Sequence, residues 1–182
     1  MIDINQKHVV KSQHKLEEIK MAIIKSQRTK LYFVDPTDDA LVVVGCPTSI
    51  SGLDSTNEQV EVTCLGDTDR QYESGLSTPS TVTFTIQFDA TDESHLRLKE
   101  LHESGAKVSW AIGFGINGGD LTVDPEVDSD GSLSNPGGRS FLFFRGFVSS
   151  FSFDFALNAM VTSSLTIQMS GQAVLSPQNP TP

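Results

Sequence analysis

Residues Ser140 to Met169 read SFLFFRGFVSSFSFDFALNAMVTSSLTIQM, and this stretch decides the fold. Strand side chains alternate with period two. On that period Arg145, Phe147, Ser149, Phe151, Phe153 and Phe155 share one aromatic face, while Gly146, Val148, Ser150, Ser152 and Asp154 share the other. After a break around Ala156 to Ala159, Val161, Leu165, Ile167 and Met169 fall on one face, interrupted by Ser163. Thr162, Ser164, Thr166 and Gln168 fall on the other. These are two long strands folded back on each other. Such a sheet packs its oily face on a core and leaves the hydroxyl-rich face wet.

The same design recurs upstream. Thr81 to Phe88 sets Val82, Phe84, Ile86 and Phe88 against Thr81, Thr83, Thr85 and Gln87. Glu58 to Leu65 sets Val60, Val62 and Cys64 against Gln59, Glu61 and Thr63. Leu31 to Val34 and Leu41 to Val44 are strands about the turn Asp35 to Asp38, the second apolar enough to be buried on both faces. Lys107 to Phe114 is a strand carrying the single Trp, Trp110. Asp89 to Ser104 is the main helix: Thr91 is its cap candidate, Leu96, Leu98 and Leu101 line one face, and Gly105 ends it. Gly66 to Ser80 and Gly115 to Gly138 are polar, glycine-rich loops with little to bury, expected to be mobile in an isolated subunit. The pattern predicts a mainly β, antiparallel sandwich or barrel with one packed helix.

At 182 residues the chain suits one cored domain with tails. The domain is expected over 31–171, after a basic arm or short helix at 1–30 (Leu16, Ile19 and Ile23 over Gln13 to Lys25) and before a flexible tail at 172–182. No apolar run reaches membrane-helix length and no secretory signal opens the chain, so a cytoplasm-like compartment and no membrane partner are expected. Cys46 and Cys64, without CxxC spacing, read as two buried reduced thiols.

The net charge of −10 is unevenly spread. Met1 to Lys30 holds seven basic residues against three acidic, and the remainder six against twenty. A basic arm thus precedes an acidic body, which disfavours conventional DNA binding, since that is driven by Lys and Arg displacing counterions.

Motifs for chemistry fail on inspection. Gly113 to Gly118, GFGING, matches the dinucleotide fingerprint, but Gly119 to Pro125 cannot form the helix that would hold a pyrophosphate. Glu126, Asp128, Asp130 and Gly131 echo a calcium loop whose twelfth position would be Gly137 instead of a glutamate. His95 and His102 stand two turns apart on the helix without a third ligand and read as surface groups; His8 and His14 sit in the arm. No serine or cysteine has a recognisable base. The sequence offers no active site, metal site or cofactor site, and the expected function is not enzymatic.

Phe144-Arg145-Gly146-Phe147-Val148-Ser149-Ser150, followed by a second strand ending at Gly171, resembles the C-terminal hairpin of the major tail tube proteins of lambda-like, non-contractile long-tailed bacteriophages. The order strand, long loop, strand, helix, hairpin over Leu31 to Gly171 is similar to that family as well. The resemblance implies a fold shared with type VI secretion tube proteins. It implies six-membered rings, with strands of neighbouring subunits joined in one barrel, stacked into a virion tail tube that conducts the genome. It implies assembly in the host bacterial cytoplasm, with this chain itself, the tape measure, the terminator and the tail tip as partners. Some members of that family carry an added immunoglobulin-like domain after the hairpin; here the segment after it, Ser176 to Pro182, reads as a flexible tail, and that decoration is expected to be absent. Two other readings stand beside it: a tail terminator or other single-ring tail component, and a β-sandwich module binding carbohydrate or protein through its wet sheet.

On the tube reading, the lumen is expected to be polar and acidic, so that it wets and repels phosphate, and the lumen-facing residues are the polar faces of the four amphipathic strands: Gln59, Glu61, Thr63, Thr81, Thr83, Thr85, Gln87, Ser150, Ser152, Asp154, Thr162, Ser164, Thr166 and Gln168, with Glu61 and Asp154 as the acids that keep DNA from adhering. The inter-subunit candidates are Lys7, Lys11, Lys15, Lys20, Lys25 and Arg28 of the arm, and Asp67, Asp69, Arg70 and Tyr72 of the first long loop.

Overall fold

The computed structural model describes residues 23–115, 117 and 119–178. The helix expected over Gln13 to Lys25 therefore falls almost wholly outside the described residues. In chain order the elements are β1 Lys30–Val34, β2 Leu41–Val43, β3 Pro47–Ser51, β4 Ser55–Glu61, β5 Tyr72–Pro79, β6 Thr81–Gln87, helix α1 Glu93–Ser104, β7 Val108–Gly113, β8 Glu126–Val127, β9 Leu133–Ser134, β10 Phe141–Asp154, β11 Thr162–Met169 and β12 Val174–Ser176.

β10 and β11 form the expected hairpin at the centre of an eight-stranded sheet of order β2-β1-β7-β10-β11-β6-β3, with β12 against the start of β10. All its pairings are antiparallel. The two ends of the sheet meet. Val44 N–H donates to Leu31 O of β1 at 2.8 Å, and two residues later Cys46 O accepts from Gln87 N–H at the end of β6 at 3.2 Å. The chain from β2 to β3 thus bends from one end of the sheet to the other, closing it around a core of Phe33, Phe84, Trp110, Phe144, Leu165 and Ile167 with their neighbours. Trp110 lies parallel to Phe144 at 6.3 Å and close to Phe33 and Phe84, and its indole N–H donates to Gly146 O at 3.2 Å.

Helix α1 closes the core with Leu98 and Leu101. Its cap is Asp92, not Thr91: the Asp92 carboxylate accepts from Ser94 N–H at 2.9 Å. Gly105 ends it in the left-handed conformation, as expected. Leu96 points to solvent instead of lying along the packed face. His95 is buried, not a surface group. Its Nδ1 accepts from Asp89 N–H at 3.0 Å and its Nε2–H donates to Gly45 O at 2.9 Å, so the ring ties the helix to the corner between β2 and β3. A Cβ at Gly45 would lie 2.3 Å from Asp92 Oδ2, so a larger residue there would have to displace the carboxylate that caps α1.

The long hairpin strand departs from strict alternation. A bulge between Val148 and Ser150 inserts one residue and inverts the parity of β10. Phe144, Gly146 and Val148 face the core before it, Phe151 after it, while Arg145 and Phe147 lie on the outer face. The single aromatic face read from the sequence is therefore two half-faces on opposite sides. Ser163, which interrupts the oily face of β11, is fully buried and donates from Oγ to Ser152 O at 2.9 Å. A buried hydroxyl with a partner costs little.

Other expectations are corrected. Gly66 to Ser80 is not one loop, because β5 fills its second half and pairs with β4 in a separate two-stranded hairpin. β4 is exposed at every position, so its alternation marks a projecting arm and no half-buried sheet. Gly115 to Gly138 carries β8 and β9 and, through Val123 and Leu133, covers a second apolar cluster of Tyr32, Ala111 and Phe141. β2 is only half-buried and Val43 is exposed, so that strand is not covered on both faces. β12 lies within the segment expected to be a flexible tail, and β3 was not anticipated. Cys46 and Cys64 are both exposed free thiols, not buried ones.

Candidate functional site

The outer face of the sheet divides into a covered half and an open half. Over β1, β7 and the start of β10, the segment between β7 and β10 lies on the second cluster. Arg139 locks it there. It is fully buried and all five guanidinium N–H groups are used: Nε donates to Phe114 O, Nη1 to Tyr32 Oη and Val123 O, and Nη2 to Gly113 O and Arg28 O, at 2.9–3.3 Å. Tyr32 Oη in turn donates to Asp124 at 2.5 Å, which Lys30 also reaches at 3.0 Å. Burial, then the bond to Asp124, holds the Tyr32 phenol well above its ordinary range.

Over the second half of β10, β11, β6 and β3 nothing of the described chain covers the face, and its side chains meet in register. One row is Ser150, Thr166, Thr83 and Ser51; the next is Ser152, Ser164, Thr85 and Ser49; Asp154, Thr162 and Gln87 form a third. Gln168 and Thr81 continue it at the other end, beside Phe147. Four antiparallel strands thus present a panel of hydroxyls and amides. The oily side of the same strands is buried, including Val82, Phe84, Ile86, Leu165 and Ile167. The alternation itself creates the panel, because burying one side of each strand obliges the other to face out.

This arrangement brings together eleven of the candidate lumen positions and leaves three out. Gln59 and Glu61 belong to the arm, where they pair with Ser74 and Tyr72. Thr63 lies beyond the end of β4, its Oγ1 accepting from Gln71 N–H at 3.0 Å. The four strands of one design are therefore three in the sheet and one in the arm. Ser49 and Ser51, which complete the panel, were missed. The signal was present in Pro47-Thr48-Ser49-Ile50-Ser51, but one apolar residue is too little periodicity to mark a strand.

The panel has two lateral edges. On one side is β3, which among the described residues pairs only with β6. On the other is β10 from Phe147 to Asp154, past the end of its pairing with β7 at Gly146; among the described residues no strand borders it there. The strands end in unlike structures. The β4–β5 arm leaves beside Ser51 and Thr81 and exposes Val60, Val62, Leu65, Tyr72 and Leu76, whereas the opposite end, beyond Asp154 and Gln87, exposes Phe155, Leu157 and Met160. Of the inter-subunit candidates, Asp67, Asp69, Arg70 and Tyr72 are exposed on the arm or its turn, and Lys25 is exposed before β1. Arg28 takes a left-handed conformation, φ 66°, with its carbonyl on Arg139. Lys7, Lys11, Lys15 and Lys20 lie outside the described residues. No cluster of His, Cys, Asp and Glu suited to a metal ion occurs among the described residues.

Comparison with known proteins gives a consistent result. The family model described as phage tail tube, TTP, lambda-like, matches residues 22–179. Structural protein 3 of Pseudomonas phage PAJU2 is 44% identical over 159 residues, covering 86% of this chain and 96% of that one. Among solved structures, the SPP1 tail tube superposes with a TM-score of 0.63 at 11% identity, over 86% of this chain and 80% of that one. The tail of an empty GTA particle, refined with C6 symmetry, gives 0.58 at 11% identity over 86% of this chain and all of the other.

Proposed function

The chain belongs to the lambda-like phage tail tube family, and on that premise we propose that it closes into six-membered rings whose open polar panels together form the wall of a channel for DNA. The observation that carries this reading is the panel itself, a wet half-sheet bounded by two edges that no strand pairs among the described residues. Its strands alternate in direction and number four, so β10 of a neighbouring copy laid against β3 continues the antiparallel order. Repeating that step round a ring leaves no exposed edge. The role is structural and mechanical, with no catalytic step.

Head-to-tail stacking follows from the two unlike ends. The arm leaves one end of the strands with exposed Val60, Val62, Leu65, Tyr72 and Leu76, and the other end carries Phe155, Leu157 and Met160. In a stack, the arms of one ring meet the hairpin tips of the next, and apolar area exposed in the subunit is buried. Asp67, Asp69, Arg70 and Tyr72 belong to that contact. The basic segment Lys7 to Lys30 docks on the acidic body of a neighbour, since its charge opposes that of the rest of the chain. The subunit thus works in the virion tail, in contact with further copies and with the tail proteins that bound the tube; assembly takes place in the host cytoplasm.

Chemical labelling tests the arrangement. With Cys46 and Cys64 replaced by Ser, a Ser152→Cys variant should react readily with a bulky maleimide-PEG as a subunit and resist it in assembled tubes seen by electron microscopy. Equal reaction in both states places the panel outside the tube and defeats the proposal. Removing residues 1–22, which leaves Arg28 and its carbonyl bond to Arg139 in place, should reduce tube formation at low salt without unfolding the subunit; unimpaired tubes refute its role.

A further inference from the structure

The panel carries a charge pattern that the acidity of the whole chain does not suggest. Of the side chains in its rows, Asp154 alone is ionisable, and it stands in the last row, opposite Thr162. Glu61, the other acid expected there, is on the arm. The next carboxylates along the chain come only past the strand ends, at Asp89 beyond Gln87 and Asp54 beyond Ser51, and the cation on the outer face of β10, Arg145, lies before the Phe147 row, beside Asp130 of the segment over the covered half. The hydroxyls are not all spent on the fold: Ser152 Oγ reaches Ser164 O at 3.3 Å, while Thr83, Thr85 and Thr166 remain partly exposed.

We infer that the channel wall built by this sheet is an uncharged hydroxyl surface along its strands, with fixed negative charge confined to one rim of each ring, so that DNA slides on bound water and is not held off by repulsion along the whole wall. The inference rests on the panel lining the channel. Magnitudes support it. Same-face residues of a strand are about 7 Å apart, which puts the Ser152 row about 7 Å and the Ser150 row about 14 Å from Asp154. The screening length at physiological salt is about 8 Å, so by the Ser150 row the potential of Asp154 has fallen to roughly a sixth of its unscreened value. Serine and threonine hydroxyls, each both donor and acceptor, keep the wall wet without offering a cation to phosphate.

The experiment measures genome ejection from particles whose tails contain variant subunits, counting only particles with full-length tails. Asp154→Asn should leave the ejection rate within about twofold of the unaltered protein from about 50 to 200 mM salt. Thr166→Lys, or Thr83→Lys should that variant fail to assemble, should slow ejection on the order of tenfold at the lower salt and less at the higher, because it puts a cation in mid-wall. If the Lys variants slow ejection and Asp154→Asn also changes it more than about fivefold, the wall is charge-controlled and this inference is overturned while the channel assignment stands. If the Lys variants eject normally, the panel does not face the DNA and both fall.

Discussion

Replacing Arg139 by Ala should be among the most damaging single substitutions in this subunit. The side chain is fully buried and satisfies five acceptors: the carbonyls of Arg28, Gly113, Phe114 and Val123, and the Tyr32 hydroxyl. A hydrogen bond to a charged group contributes about 1.5–3 kcal/mol, and an acceptor left buried and unpaired costs about 1–3. Water entering the vacated space restores part of that, and the large cost of burying the guanidinium is removed, so the net loss is on the order of 3–4 kcal/mol. Against a typical total of about 5–15 kcal/mol this is a major fraction. Arg139→Lys, with three N–H groups in place of five, should lose about half as much. Urea unfolding of the dilute subunit gives the totals. Hydrogen exchange locates the effect, which should be greatest in 115–138 and in Arg28 to Tyr32. A loss below about 1 kcal/mol for Arg139→Ala, or exchange that rises equally throughout the chain, refutes the clamp.

Gly45→Ala should cost about 1–2 kcal/mol, since its Cβ would push aside the Asp92 carboxylate that caps α1 at the corner closing the sheet; an unchanged urea midpoint contradicts that corner. Asp35 is held below the usual carboxylate range by hydrogen bonds from Arg97, and Asp92 by those from Ser94. A carboxyl depressed in the fold contributes stability that is full above its unfolded pKa and lost as pH falls through the folded value, so unfolding should ease below about pH 4. Arg97→Met should shrink that acid dependence, and an identical pH profile would dismiss the pairing. Both thiols of the native subunit should react with a maleimide at rates near those of the unfolded chain, and protection of either contradicts its exposure.

The sequence by itself determined the β class, the central hairpin, the helix near its observed position and the polar faces of Thr81 to Gln87 and Thr162 to Gln168. Each of these depends on local alternation or on capping residues, which a contiguous stretch contains. It did not reveal that β4 leaves the sheet. Val60 and Val62 alternate with polar residues as well as Val82 and Phe84 do, and it is their exposure among the described residues that makes β4 an arm. The bulge after Val148 was equally hidden, because an extra residue in one strand is defined by its partner, here Ile167 and Thr166 facing Val148 and Ser150. His95 and Arg139 look like surface residues by type; their burial is decided by distant backbone groups, Gly45 O for one and the carbonyls from Arg28 to Val123 for the other. The wet panel was therefore legible strand by strand, whereas its boundaries, its nearly neutral charge and its two free edges were set by tertiary contacts, since pairing and coverage are relations between segments far apart in the chain.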